Sequence, residues 1–199
     1  MSYTPLFPNL QPQMPAVPVL KRRAVLAGLT AVSASLAMPL PVRAASLDNV
    51  IKVPTAMPAP GMTSLIVDSA GSTFEMSSLA GQPVLINFWA TWCAPCIAEL
   101  PSLAAAAKAL SEDGIRVMLV SIDRGGSTKA LPFLENLGVA RPQLGFDPKA
   151  RLSREMGVRG LPTTFLLDAA QRSSWSFVGP FEWDSPAVLQ ALRDALAVG

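Results

Sequence analysis

The sequence predicts an α/β domain whose sheet is covered by helices on both faces. The runs at 83–89 and 115–122, apolar but for Asn87, Arg116 and Ser121, have the length of strands buried on both sides. Stretches with helical spacing follow them, closed by Asp113-Gly114, Gly138 and Gly157. Half of the 199 residues are apolar and 15% are charged, which suits one domain plus a segment outside its core.

Along the chain, residues 46–61 hold Pro54, Pro58 and Pro60 without periodicity and read as a linker, with the domain at 62–199. Thr63 to Asp68 and Thr73 to Met76, joined by Ser69-Ala70-Gly71, predict an N-terminal β-hairpin. Pro83 to Trp89 is the central strand. From Cys93 the period changes: Leu100, Leu103, Ala107 and Leu110 share one helical face until Asp113-Gly114. A strand is expected at Ile115 to Ile122, a helix at Lys129 to Leu137, a short strand at Gln143 to Phe146 and a helix at Lys149 to Met156. Strands at Thr163 to Leu167 and Ser174 to Val178 precede a last helix that opens on Asp184-Ser185-Pro186 and runs to Ala197.

Residues 1–45 do not belong to this pattern. The first twenty have no charge and five prolines, which rules out a regular helix. Lys21-Arg22-Arg23 then leads an uncharged stretch from Ala24 to Val42, and Val42-Arg43-Ala44 has the small residues of a signal-peptidase site. The paired arginines resemble a twin-arginine export signal. A general secretory signal, or an uncleaved membrane anchor, is the other reading of an apolar stretch long enough to span a bilayer. Each places the domain outside the cytoplasm, in the periplasm, either soluble after cleavage near Ala44 or tethered to the inner membrane.

The net charge of +2 comes from this leader. Residues 46–199 carry twelve basic and fourteen acidic side chains, a charge of about −2, which removes the case for nucleic acid. Histidine is absent, which excludes Ser–His and Cys–His hydrolases, Cys/His zinc sites and a histidine-ligated c-type haem.

Chemistry concentrates in Trp92-Cys93-Ala94-Pro95-Cys96, where the central strand hands over to a helix. At a helix N-terminus, free main-chain N–H groups and the macrodipole favour a thiolate, so Cys93 is the expected attacking sulfur. Cys96, one turn on and deeper, is the expected resolving sulfur. Pro95 suits the first turn, and Trp92 is expected to form an apolar lip. Glu99 shares a helix face with Cys96, and partial burial would raise its pKa and let it relay protons. No other Cys and no His exist to complete a zinc site, so no metal and no cofactor beyond the Cys93–Cys96 disulfide is expected. Met57, Met62 and Met76 read as core fillers rather than copper ligands, and Trp175 and Trp183 as packing residues.

Asn87-Phe88-Trp89-Ala90-Thr91-Trp92-Cys93-Ala94-Pro95-Cys96 resembles the active-site strand and turn of the thioredoxin superfamily. Gly160-Leu161-Pro162-Thr163-Thr164 resembles its cis-proline segment. More narrowly, Cys96-Ile97-Ala98-Glu99-Leu100-Pro101, Ser121-Ile122-Asp123-Arg124-Gly125-Gly126 and residues 179–186 resemble the TlpA-like branch of periplasmic thiol–disulfide reductases, which includes the ResA and CcmG types. The resemblance covers about residues 62–198.

It implies a thioredoxin fold: a central mixed sheet flanked by helices, with the N-terminal hairpin and an inserted helix-containing segment. It also implies that Pro162 is cis beside the cysteines, and that the Leu161 main chain offers strand-like hydrogen bonds to substrate. TlpA-like reductases carry a glutamate at the position of Glu99, whereas the buried aspartate of thioredoxin is replaced by Asn87. The implied activity is reduction of protein disulfides. The implied clients are metallo- or haem-protein assembly factors, as in cytochrome oxidase assembly or cytochrome c maturation, with a membrane thiol donor returning electrons and the protein acting as a monomer. Two other functions compete. A disulfide-forming oxidase is less favoured because strongly oxidising relatives place a histidine between the cysteines, where this chain has Ala94-Pro95. A thiolate copper chaperone of the Sco type needs a histidine and a wider cysteine spacing. A peroxiredoxin keeps a threonine where this chain has Ala90.

Overall fold

The computed structural model describes residues 50–54, 63–139 and 142–197. The expected leader, most of the expected linker, and Met57 and Met62 lie outside the described residues. Among the described residues no helix is long and apolar enough to cross a membrane.

Eight strands form one mixed sheet in the order β1-β8-β7-β4-β5-β6-β2-β3. They are β1 (Val50–Pro54), β2 (Leu65–Val67), β3 (Thr73–Glu75), β4 (Val84–Trp89), β5 (Arg116–Ser121), β6 (Gln143–Phe146), β7 (Thr163–Leu167) and β8 (Ser173–Val178). The helices are α1 (Ala94–Glu112), α2 (Ser127–Asn136), α3 (Arg151–Glu155) and α4 (Pro186–Ala197), with a 3-10 turn at Met76–Leu79.

The run at 84–89 is central as expected. All six residues of β4 are buried, with β5 parallel on one side and β7 antiparallel on the other. The two faces of β4 then divide the core. Leu85 and Trp89 join Leu100, Leu103 and Leu110 of α1 and Val188 and Leu192 of α4, while Ile86 and Phe88 pack with Leu152 of α3 and with Met76 and Leu79. Met76 is thus a core filler. Helices cover both faces, and α2 with β6 forms the inserted segment.

The hairpin is present, with Leu65 opposite Glu75 and Val67 opposite Thr73. Asp68 holds its turn: Oδ1 accepts from the main-chain N–H of Ala70 at 2.9 Å and of Ser72 at 2.8 Å. The hairpin continues the sheet through β2 and β6, and Gly145 of β6 lies beneath it. A Cβ at Gly145 would sit 2.9 Å from Cγ2 of buried Ile66. Gly145→Ala is therefore expected to cost about 1–3 kcal/mol through overpacking, read as a lower urea midpoint with an unchanged slope.

Three expectations are corrected. The segment read as a linker contains β1, which pairs antiparallel with β8 along the sheet edge. An edge strand tolerates Pro54 because one side needs no ladder donor. The helix expected from Lys149 begins only at Arg151. Ala150 adopts a left-handed φ of 51°, and Asp147 caps the turn by accepting from the N–H groups of Arg151 at 2.7 Å and Ser153 at 2.9 Å. The helix expected from Lys129 starts two residues earlier, at Ser127, after Gly126 turns the chain at φ 54°.

Candidate active site

The site forms where the C-terminal end of β4 meets the N-terminus of α1. Cys93 is the N-cap of α1, and its Sγ accepts from the Cys96 N–H at 3.3 Å, with proline in the first turn. The two sulfurs are joined as a disulfide. Cys96 is wholly buried and Cys93 is 6% exposed, so Cys93 is the sulfur a partner reaches. Trp92 stands beside it, 64% exposed. A groove of about 520 Å³ opens here, lined among others by Trp92, Cys93, Pro95, Ile122 and Leu161. The structure therefore brings together both cysteines, Trp92, Pro95 and Leu161.

The Leu161–Pro162 peptide is cis, as the resemblance implied. Pro162 itself is buried, and its carbonyl accepts from the Gly179 N–H at 3.0 Å. Among the described residues the Leu161 main chain has no hydrogen-bond partner, so it faces the groove free to pair with an extended chain.

The approach to Cys93 is fixed by Asp123. Its Oδ2 accepts from the Thr91 N–H at 2.8 Å and from the Ser121 hydroxyl at 3.0 Å, and its Oδ1 accepts from the Thr91 hydroxyl at 2.8 Å. The carboxylate is 1% exposed, with Lys129 at 3.7 Å. Asp123→Ala is expected to cost about 2 kcal/mol by orphaning these donors, measurable as a loss of chemical stability.

Glu99, three residues after Cys96 on α1, is 3% exposed. Oε1 accepts from Asn87 Nδ2 at 2.7 Å, and Oε2 accepts from Trp183 Nε1 at 2.9 Å and from the Phe181 N–H at 3.1 Å. Burial pushes the Glu99 carboxyl above the ordinary carboxylate range, and the hydrogen bonds from Trp183, Phe181 and Asn87 hold part of that rise back. Asn87 Nδ2 also donates to Thr164 Oγ1 at 2.8 Å, across the register pair of β4 and β7. Asn87 Oδ1 has no partner.

Trp183, expected only to pack, is therefore also a polar partner of Glu99. It does pack as well, with ring centroids 5.5 Å from Phe177 and 5.4 Å from Phe181. The Ser102 hydroxyl pins this segment to α1, donating to Glu99 O at 2.8 Å and accepting from the Trp183 N–H at 3.3 Å. Phe181 and Trp183 lie 82 and 84 residues from Glu99, beyond any local pattern. The only sequence signal was the resemblance at 179–186.

The Redoxin family model matches residues 54–192. The chain belongs to the Redoxin family. Among Redoxin relatives it is similar to the thiol:disulfide interchange protein HelX of Rhodobacter capsulatus, 38% identical over 104 residues that make up 52% of this chain and 56% of HelX. The thiol-disulfide oxidoreductase ResA of Bacillus subtilis is 34% identical over 105 residues, 52% of this chain and 57% of ResA. The thiol:disulfide interchange protein CycY of Rhizobium leguminosarum bv. viciae is 31% identical over 136 residues, 66% of this chain and 70% of CycY. The match thus spans little more than half the length of HelX and ResA.

Among solved structures, a putative thiol:disulfide interchange protein DsbE from Chlorobium tepidum superposes with a TM-score of 0.59 at 28% identity, covering 72% of this chain and 97% of that one. The exposed lipoprotein thioredoxin Etrx1 of Streptococcus pneumoniae superposes with a TM-score of 0.55 at 27% identity, covering 65% and 97%. The mixed sheet with helices on both faces is a thioredoxin fold, and the resemblance to the ResA and TlpA type of Redoxin protein holds.

Proposed function

We propose that this chain is a thiol–disulfide oxidoreductase that reduces protein disulfides outside the cytoplasm. The observation that carries the reading is the asymmetric cysteine pair: Cys93 at the mouth of a groove on a helix N-terminus, Cys96 sealed behind it. In the reduced protein the Cys93 thiolate attacks a client disulfide. One client sulfur leaves as a thiolate and takes up a proton, while the other forms a mixed disulfide with Cys93. Cys96 gives its proton to Glu99 and attacks Cys93 Sγ, which releases the second client thiol and forms the Cys93–Cys96 bond. Two electrons pass to the client, and a membrane dithiol donor returns them.

Trp92, Pro95, Leu161 and Pro162 form the client-binding rim, with the Leu161 main chain pairing to the client strand. Residues 1–45 act as export signal or membrane anchor for the domain that follows, which works in the periplasm as a monomer without a metal or other cofactor. Its clients are cysteine-bearing proteins awaiting metal or haem, a reading that rests on the TlpA-like resemblance. The test is to mix the reduced chain with a disulfide-bonded protein, and the oxidised chain with the same protein reduced, and to count thiols. The reading expects thiols to appear on the client in the first mixture and to persist in the second. Efficient loss of client thiols in the second would make the chain an oxidase.

A further inference from the structure

The groove at Cys93 continues into a second one. The first also takes in Arg154 and Arg159. The second, about 870 Å³, runs past Arg124, Lys129 and Lys149 and shares Trp92, Ile122, Ala150 and Arg154 with the first. Together they make one trough along Trp92. Five of the twelve basic residues of 46–199 line it, in a segment whose charge is about −2. The surplus of cations is therefore local.

Among the described residues, only Lys129 of these five cations has a carboxylate partner, Asp123 at 3.7 Å. Among the described residues the only carboxylate lining either groove is Asp123, which is 1% exposed and occupied by Thr91, Ser121 and Lys129. Among the described residues, Arg124, Lys149, Arg154 and Arg159 have no ion-pair partner. Cations held together without counter-charges repel one another, and such a patch concentrates oppositely charged partners. Thiolate stabilisation alone would need cations only in the groove that contains Cys93. Arg124 and Lys149 line the part that does not contain it, so their charge acts on whatever lies along the trough. The unpaired Leu161 main chain at the other end suits an extended polypeptide.

We propose that this trough docks an acidic, extended stretch of the client polypeptide adjoining the disulfide that Cys93 attacks. The inference rests on the reductase reading and names the chemistry of its clients.

Two synthetic peptides with the same internal disulfide, one flanked by glutamates and the other by lysines, are each mixed with the reduced full chain in stopped flow. The acidic peptide is expected to react about tenfold faster or more at low ionic strength, and the ratio should approach one at about 1 M salt. Arg124→Glu combined with Lys149→Glu should abolish or invert the ratio, a comparison made within one protein and so independent of its overall activity. Equal rates for both peptides in the unaltered chain, or a ratio indifferent to salt, would overturn the docking surface and leave the reductase intact. Reduction of neither peptide would sink the reductase reading, and the docking surface with it.

Discussion

Cys96→Ser is expected to convert a catalyst into a trap. With the resolving sulfur gone, Cys93 still attacks the client, but nothing inside the protein breaks the bond that forms. Mass spectrometry without reductant should find the chain linked one-to-one to its client through Cys93, and turnover should fall to background. Cys93→Ser should give no adduct, because the remaining sulfur is wholly buried behind the groove. Serine is close to cysteine in size, so both variants should fold. An adduct through Cys96 in the Cys93→Ser chain would reverse the assigned roles.

Glu99→Gln should separate proton handling from sulfur chemistry. If Glu99 takes the proton of Cys96, the variant should resolve the mixed disulfide about a hundredfold more slowly. The wild-type rate should also show an inflection above the ordinary carboxyl range that the variant lacks, since burial raises this group. The same shift sets the sign of a stability effect. A carboxyl whose pKa is raised by folding keeps its proton more firmly in the native state. The wild type should then lose stability as pH climbs from about 4.5, the reference carboxyl value, through the raised one. Glutamine cannot titrate, so the variant should gain on the wild type as pH rises above about 4.5 in chemical denaturation. A difference that stays constant with pH would show that Glu99 is not the titrating group.

The parts of the fold readable in the sequence are those set by local pattern. The run at 84–89, apolar but for Asn87, marks the central strand because burial on both faces removes alternation. The tetrapeptide 143–146 and the Pro186 start of α4 were likewise placed by their flanking turns and capping residues. β1 was hidden because its evidence is a partner 120 residues away, the edge of β8, and its own stretch ends in proline. α3 is shorter than its sequence suggests because Ala150 takes a left-handed φ that its side chain does not announce.

The site divides the same way. Cys93, Cys96, Pro95 and Trp92 are contiguous, and Glu99 follows at helical spacing, so all were legible. The donors to Glu99 from Trp183 and Phe181, the Asp123 clamp on Thr91 and the basic trough are assembled from distant segments. Trp183 reads as packing in the sequence because a buried indole looks the same there whether or not its N–H is used.

The most direct test of the central claim is the reduction potential of the Cys93–Cys96 pair, found by equilibrating the chain with dithiothreitol or glutathione buffers. A reductase is expected near or below about −270 mV, the region of thioredoxin, whereas a value near −120 mV, that of strong oxidants, would contradict the account and make the chain a source of disulfides.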